Sequence, residues 1–390
     1  MKRISCIILL AFICLSLFTA CSDKTDKEPD NSAELNQSTI DKTGHQLFFK
    51  DMLKSDSVKA TFVNSATDDR EETEMELCEE SDDYNTYTCY GDPERFNKVI
   101  FTYDKRESIE YAFNDYVSGW CNSAYGIIPY TEGMEISGSS IEYKTEMFDY
   151  GDYLKEVYIR TPKDYDPQSG EKYSVIYLLD GQNMLNNTAT GTGCWNVAES
   201  VTSMMAQSDH KAIIVAIETP ESTRYKELVP DIGDVQYDEE FYEDGEGVYF
   251  CDFVCDTVMP YVEKHYNVYT DPEHNMIAGA SLGGAESFYI GMAHPEKFGA
   301  IGAFSPSFWL YDDATWEAFL SHQDYQKDAP LLYMYSGGEE LSTNVHEMQK
   351  VLNRIGYPQD RSTLVIYPKG EHYLLYWRAI FPDFLRFAFA

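Results

Sequence analysis

Ser281 lies in the run Gly279-Ala280-Ser281-Leu282-Gly283-Gly284, directly after a short apolar segment and directly before a helix-like one at 285–293. A G-x-S-x-G pattern between a strand and a helix is the arrangement of a nucleophile elbow. The sharp turn holds the serine in a strained backbone conformation, and Gly279 and Gly283 let strand and helix approach closely. The helix N-terminus then places N–H groups and the positive end of its dipole beneath the hydroxyl. A serine hydroxyl attacks a carbonyl only when a base takes its proton, so the pattern demands a histidine at the end of a later strand. His372 meets the demand, following the apolar run 363–367 and the turn Pro368-Lys369-Gly370-Glu371. His265, His274 and His294 fall in or beside helical segments and read as surface or packing residues. His322 and His346 lack a preceding strand, and His210 precedes one.

A base of this kind needs a carboxylate to orient its ring and stabilise its cation. The run 331–335 ends in Ser336-Gly337-Gly338-Glu339-Glu340, between the serine and the histidine in chain order; Glu340 is the first choice and Glu339 the reserve. Acyl transfer also needs donors for the developing oxyanion. The N–H of Leu282 is one, and Gln182, in Asp180-Gly181-Gln182-Asn183 after the strongest early strand, offers the second. Asp180-Gly181 also reads as a tight turn. Trp195, Ser305, Ser307, Trp309 and Trp377 are candidate pocket walls or core residues. Arg224 with Glu227, within 222–230, is either a substrate-facing pair or a surface salt bridge.

These residues must be held by strands alternating with helices. Strands are expected at 155–160, 173–179, 211–217, 275–278, 300–304, 331–335 and 363–367, with helices at 248–266 and 373–389 that contain Pro260 and Pro382. That alternation predicts an α/β fold: a mostly parallel central sheet flanked by helices over 134–390. Short apolar-aromatic runs separated by turn residues across 47–133 predict a small β-rich module before it, with Trp120, Tyr125 and Tyr130 as candidate sugar-binding aromatics and packing as the favoured reading.

The N-terminus addresses compartment. Lys2 and Arg3 precede an apolar run at 7–18, too short for a comfortable bilayer span, and Thr19-Ala20 lead to Cys21. This resembles a bacterial lipoprotein signal, with 1–20 removed, Cys21 lipidated, and 21–46 a polar flexible tether; Phe18 stands where the lipobox usually has Leu. A cleaved secretory signal is the alternative, and both readings are extracytoplasmic. Beyond Cys21 there are six cysteines, an even number that permits disulfides, and Cys78 with Cys89 flank a turn-like stretch that a hairpin bridge would suit. Cys251 and Cys255 read as small packing residues of a helix, with no His at zinc spacing. With 66 acidic residues against 30 basic and a net charge of -36, the chain repels phosphate backbones, which excludes nucleic acid as a partner.

Tyr177-Leu178-Leu179-Asp180-Gly181-Gln182-Asn183, the elbow, Phe304-Ser305-Pro306-Ser307-Phe308-Trp309 and Phe384-Leu385-Arg386-Phe387 together resemble the putative-esterase family of α/β hydrolases. That family groups esterase-D-like enzymes with enterochelin esterases, feruloyl and acetyl esterases, and mycolyltransferases. The resemblance implies the α/β-hydrolase fold, a triad of Ser281, Glu340 and His372, oxyanion donors at Gln182 and Leu282, and no obligatory metal or organic cofactor. Two positions depart from it: Glu371 precedes His372 where Gly-His is frequent, and Leu282 replaces a frequent Met. Within the family, an exported, aromatic-rich chain points to feruloyl or acetyl esters of polysaccharide, then to siderophore esters. A carbohydrate-binding lipoprotein without catalysis is the reading from a different class; a glycosidase would need a facing carboxylate pair that no motif selects.

Overall fold

In the computed structural model, alternate residues of each central strand face opposite helical layers, as a strand's period of two requires. The model describes residues 43–123, 126–134, 142–185, 193–236, 245–340 and 342–390. The strands of the main sheet are β1 (Lys144–Tyr150), β2 (Tyr153–Arg160), β3 (Ser174–Leu179), β4 (Ala212–Ile217), β5 (Asn275–Ala280), β6 (Ala300–Phe304), β7 (Leu331–Gly337) and β8 (Ser362–Tyr367). They lie in the order β1-β2-β4-β3-β5-β6-β7-β8. Only β1 and β2 run antiparallel to their neighbours; every pairing from β4 to β8 is parallel. Strand β1, exposed and charged along one side, was not among the strands expected from sequence.

Val175, Tyr177 and Leu179 of β3 enter one core, shared with the helices Leu282–Ala293, Asp313–Leu320 and Thr343–Arg354. Ile176 and Leu178 enter the other, shared with Val197–Gln207 and Leu374–Ala388. With both faces covered, β3 to β5 are apolar without interruption, which is why they read as continuous runs. The helical segment containing Pro260 divides into Gly247–Asp252, π-helical turns at Phe253–Val258, and Met259–His265. Proline offers no N–H to the carbonyl four residues back, and the widened turns accommodate that loss. The closing helix Leu374–Ala388 continues through Pro382.

Residues before β1 build two further sheets. One has the order Gly126–Pro129, Gly119–Ser123, His45–Asp51, Asn85–Gly91, Glu76–Glu80. The other runs Asp69–Glu74, Val58–Asn64, Lys98–Tyr103, Arg106–Glu107, with Tyr111–Ala112 also paired to Lys98–Tyr103. Leu47, Phe49, Phe62, Phe101 and Trp120 fill the core between them. Strand His45–Asp51 begins inside the stretch expected to be tether. The proposed signal and Cys21 lie outside the described residues.

Ala379 of the closing helix belongs to this same core. Asn114 Nδ2 donates to the Pro382 carbonyl at 3.2 Å, Tyr116 to the Phe389 carbonyl at 3.3 Å, and Arg386 pairs with Asp115 at 2.7 Å. Residues 40–390 accordingly form one contact unit. Trp120 and Tyr130 are buried and unavailable to a sugar, the first inside the sandwich and the second in a separate cluster with Cys121 and Ile128; Tyr125 lies outside the described residues. Cys78 and Cys89 make no bridge. A register shift in their hairpin leaves Cys78 exposed with its thiol donating to the Thr86 carbonyl at 3.2 Å, while Cys89 points into the core.

Candidate active site

Strand β5 ends at Ala280, and Ser281 turns the chain into the helix Leu282–Ala293 with φ 60° and ψ -122°. A non-glycine residue here carries backbone strain, held by what surrounds it. Its N–H donates to the Phe304 carbonyl at 2.9 Å, and its carbonyl accepts from Gly284 and Ala285 at 3.1 Å and from Ser307 at 3.0 Å. A Cβ at Gly279 would sit 2.4 Å from the Gly283 carbonyl oxygen, so glycine is required for strand and helix to meet.

His372 and Glu340 come from the loops after β8 and β7. The loops are tied backbone to backbone: Gly338 N–H donates to the Tyr367 carbonyl at 2.7 Å and Glu339 N–H to the Gly370 carbonyl at 3.0 Å. A Cβ on Gly337 would lie 2.2 Å from the Gly370 carbonyl oxygen, so any side chain there would push the loops apart. Glu340 Oε2 lies 2.6 Å from His372 Nδ1. A carboxylate only accepts, so Nδ1 carries the proton and Nε2 keeps the lone pair that a base needs. Glu339 is exposed, and the carboxylate bonded to His372 is that of Glu340.

The other oxygen of Glu340 accepts from Ser305 Oγ at 2.6 Å, Ser336 Oγ at 3.2 Å and the Gly337 N–H. Burial alone would raise the Glu340 pKa, but hydrogen bonds from His372, Ser305 and Gly337 outweigh it and hold the carboxyl below its ordinary value. Ser305 has a positive φ of 45° and in turn accepts from Trp377 Nε1 at 2.8 Å. The Trp377 ring stands edge-on to the His372 ring at 5.2 Å. Ser305 and Trp377 therefore position the acid and the imidazole, a role their sequence context did not disclose.

On the opposite side of the elbow, Asp180 adopts φ 56° and begins the turn Gly181–Asn183. The Gln182 side chain is fixed by two bonds to the Thr219 backbone, 2.9 and 3.2 Å, which aims its main chain. Leu282 starts the elbow helix, where a first-turn N–H has no acceptor within the helix. Arg224 grips Asp180 through Nε and Nη2 at 2.7 and 2.8 Å, and Thr219 Oγ1 donates to the same carboxylate. A Cβ on Gly283 would lie 3.0 Å from Asp180 Oδ2, so Arg224 neutralises a carboxylate directly beside the elbow helix.

The expected Arg224–Glu227 pairing is replaced: Glu227 is fully buried with Lys155 at 2.6 Å and also accepts from Tyr153. Trp195 is a core residue, 2% exposed against Phe304, Trp377 and Phe381, and its backbone N–H donates to the Asn183 carbonyl at 3.0 Å. Trp309 lines a cavity of ≈ 380 Å³ with Phe308, Asp312, Asp313 and Glu347 among its walls. Away from the elbow, His294 is brought beside Cys251 and Cys255, which sequence spacing had left without a histidine.

The family model described as Putative esterase matches residues 155–386. A Bacillus subtilis (strain 168) protein described as Uncharacterized protein YbbA is 26% identical over 226 residues, 55% of this chain and 85% of that one. Among solved structures, the CE1 ferulic acid esterase AmCE1/Fae1A of Anaeromyces mucronatus, without substrate, is 19% identical over 72% of this chain and 100% of its own, with a TM-score of 0.50. The BES protein from Bacillus cereus is 21% identical over 66% of this chain and 98% of its own, with a TM-score of 0.49. With more than half of its length inside the family match, the chain belongs to the Putative esterase family and is a serine esterase of the α/β-hydrolase fold.

Proposed function

We propose that the chain hydrolyses carboxylic esters through an acyl-enzyme. Ser281 Oγ attacks the ester carbonyl while His372 Nε2 takes its proton, and the N–H groups of Gln182 and Leu282 receive the oxyanion. The alcohol leaves with a proton from His372; water then attacks the acyl group, giving its proton to the same nitrogen, and Ser281 is restored. The observation that carries this reading is the 2.6 Å bond between His372 Nδ1 and an ionised Glu340, on the rim that also bears the strained serine.

For substrate, the proposal is feruloyl or acetyl groups on polysaccharide. A chain with a net charge of -36 favours neutral esters over the anionic catecholates of a siderophore. Export and lipid attachment at Cys21 complete the proposal; no helix among the described residues is long and apolar enough to cross a membrane.

A fluorophosphonate probe tests the catalytic half: the purified protein should label at Ser281, and Ser281→Ala should lose both labelling and turnover, about 10⁵–10⁶-fold. Unlabelled wild-type protein would return the chain to a binding role. Methyl ferulate, acetylated xylan and a catecholate siderophore, assayed side by side, test the substrate half, and preference for the siderophore would overturn it. Metabolic labelling with palmitate, abolished in Cys21→Ser, tests the anchor.

A further inference from the structure

We propose that Cys251, Cys255 and His294 form a binding site for a soft or borderline metal ion, Zn²⁺ first, that fastens the far end of the elbow helix. Their ligand atoms all lie within 4.8 Å of one another. A tetrahedral zinc, with bonds of about 2.3 Å to sulfur and 2.0 Å to nitrogen, would set them about 3.5–3.8 Å apart. Inward side-chain rotation of about an ångström closes that difference. Two sulfurs and an imidazole suit Zn²⁺ or Cu⁺ and not the oxygen-seeking Ca²⁺ or Mg²⁺.

The architecture around the three residues favours a built site over incidental neighbours. Cys251 and Cys255 are buried, and the second lies in the π-helical turns Phe253–Val258, a backbone irregularity that recurs at functional positions. His294 caps the elbow helix and so arrives from a separate element. Its Nδ1 lies 3.0 Å from Glu296 Oε1. A metal-bound imidazole commonly presents its second nitrogen to such a carboxylate, which fixes the tautomer and strengthens the ligand. Lys297 Nζ donates to the Cys255 carbonyl at 2.9 Å and pairs with Asp256 at 3.3 Å, holding the two elements together at this point. Asp252 lies within electrostatic reach of Cys251, so an arriving cation meets a negative neighbour.

Binding would exchange two S–H protons, released to solvent, for two metal–sulfur bonds, with no change of oxidation state. Water fills the fourth corner. The elbow helix spans 12 residues, so Ser281 lies about 18 Å from this end. The ion therefore serves to clamp the helix that carries the nucleophile turn and takes no part in the chemistry there.

The test uses the full chain, stripped with a chelator and titrated with Zn²⁺ against a chromophoric competitor, and with Co²⁺ followed by its thiolate charge-transfer absorption. One equivalent should bind, the absorption should report sulfur ligation, and the melting temperature should rise with bound Zn²⁺. Affinity should fall at least about tenfold in His294→Gln and Cys255→Ser, and about tenfold in Glu296→Gln, while Cys78→Ser leaves it unchanged. His294 is half-exposed, so its variant should fold, as circular dichroism can verify. Unsaturable binding, equal binding in His294→Gln, or a Cys251–Cys255 disulfide in the purified protein would each overturn the site.

Discussion

Two glutamates that follow Ser281 in the chain lie under protein, Glu286 and Glu340, and the chain treats them in opposite ways. Glu340, on the loop after β7, has its carboxylate surrounded by Ser305, Ser336, the Gly337 N–H and His372. Glu286, one turn into the elbow helix, is fully buried, and neither oxygen has a hydrogen-bond partner among the described residues. Donors keep the first ionised below its ordinary pKa, whereas burial pushes the second well above it. Residue type therefore settles nothing about charge here; the number of donors does. The charged carboxylate is the one that can serve a protonated imidazole, and the neutral one behaves as packing.

The largest test of that contrast is Glu340→Gln. The amide keeps the shape but cannot stabilise an imidazolium, and it favours the wrong tautomer, so kcat should fall on the order of 10⁴-fold. Glu286→Gln should leave kcat within a factor of about two, since an unionised acid and an amide are alike to the elbow. Equal losses in steady-state assays of both variants would remove the distinction.

A third buried carboxylate sharpens the comparison because it is charged without being catalytic. Glu227 and Lys155 are both fully buried at 2.6 Å, with the Glu218 carbonyl and the Tyr153 hydroxyl as further partners. Removing one partner strands a charge, so Lys155→Met should lose about 3–5 kcal/mol in denaturant melts. Lys155→Met/Glu227→Leu should recover most of it. A double variant as unstable as the single one would mean that packing, and not charge, is what the pair supplies.

Glu286→Met should go the other way, gaining about 1–3 kcal/mol by replacing an unpartnered acid with an apolar chain of similar volume. The raised pKa adds a pH signature. A carboxyl raised on folding contributes its stability below the unfolded value and loses it as pH climbs towards the folded value. The advantage of Glu286→Met should therefore grow by about 1.4 kcal/mol per pH unit through that interval. A gap that is flat with pH would show that Glu286 is ionised and partnered.

What could be read from the sequence follows the same physics. Ser281, His372 and the 339/340 pair were legible because each sits where an apolar strand breaks into a glycine-containing loop, and chain order assigns the roles. Choosing Glu340 required the loops, since neighbours in a turn point apart. Asp180 and Arg224 are 44 residues apart, and the ion pair appears only once β3 and β4 lie side by side. Trp195 and Trp377 looked alike as pocket-wall candidates, yet one is core and the other donates to Ser305. The β-rich region read as a small module before the enzyme domain, and Ala379 in its core makes the closing helix a shared wall, a contact that sequence patterns do not show.

The smallest effect belongs to Ser305, and it tests whether donors alone hold Glu340 ionised. Ser305→Ala removes the 2.6 Å bond to Glu340 and leaves Trp377 Nε1 without its acceptor, while Ser336 and Gly337 continue to donate. The cost should be about 1 kcal/mol at neutral pH, small because Glu340 sits at the solvent edge beside an exposed His372. Glu340 is depressed on folding, so its contribution is present above the unfolded carboxylate value and disappears as pH falls through the folded one. With one donor gone, the folded value moves up towards the ordinary range. Urea melts of wild type and Ser305→Ala should therefore differ by a constant amount at neutral pH and converge in acid. A difference that persists unchanged in acid would assign the loss to the strained Ser305 turn and break the link between donor count and charge.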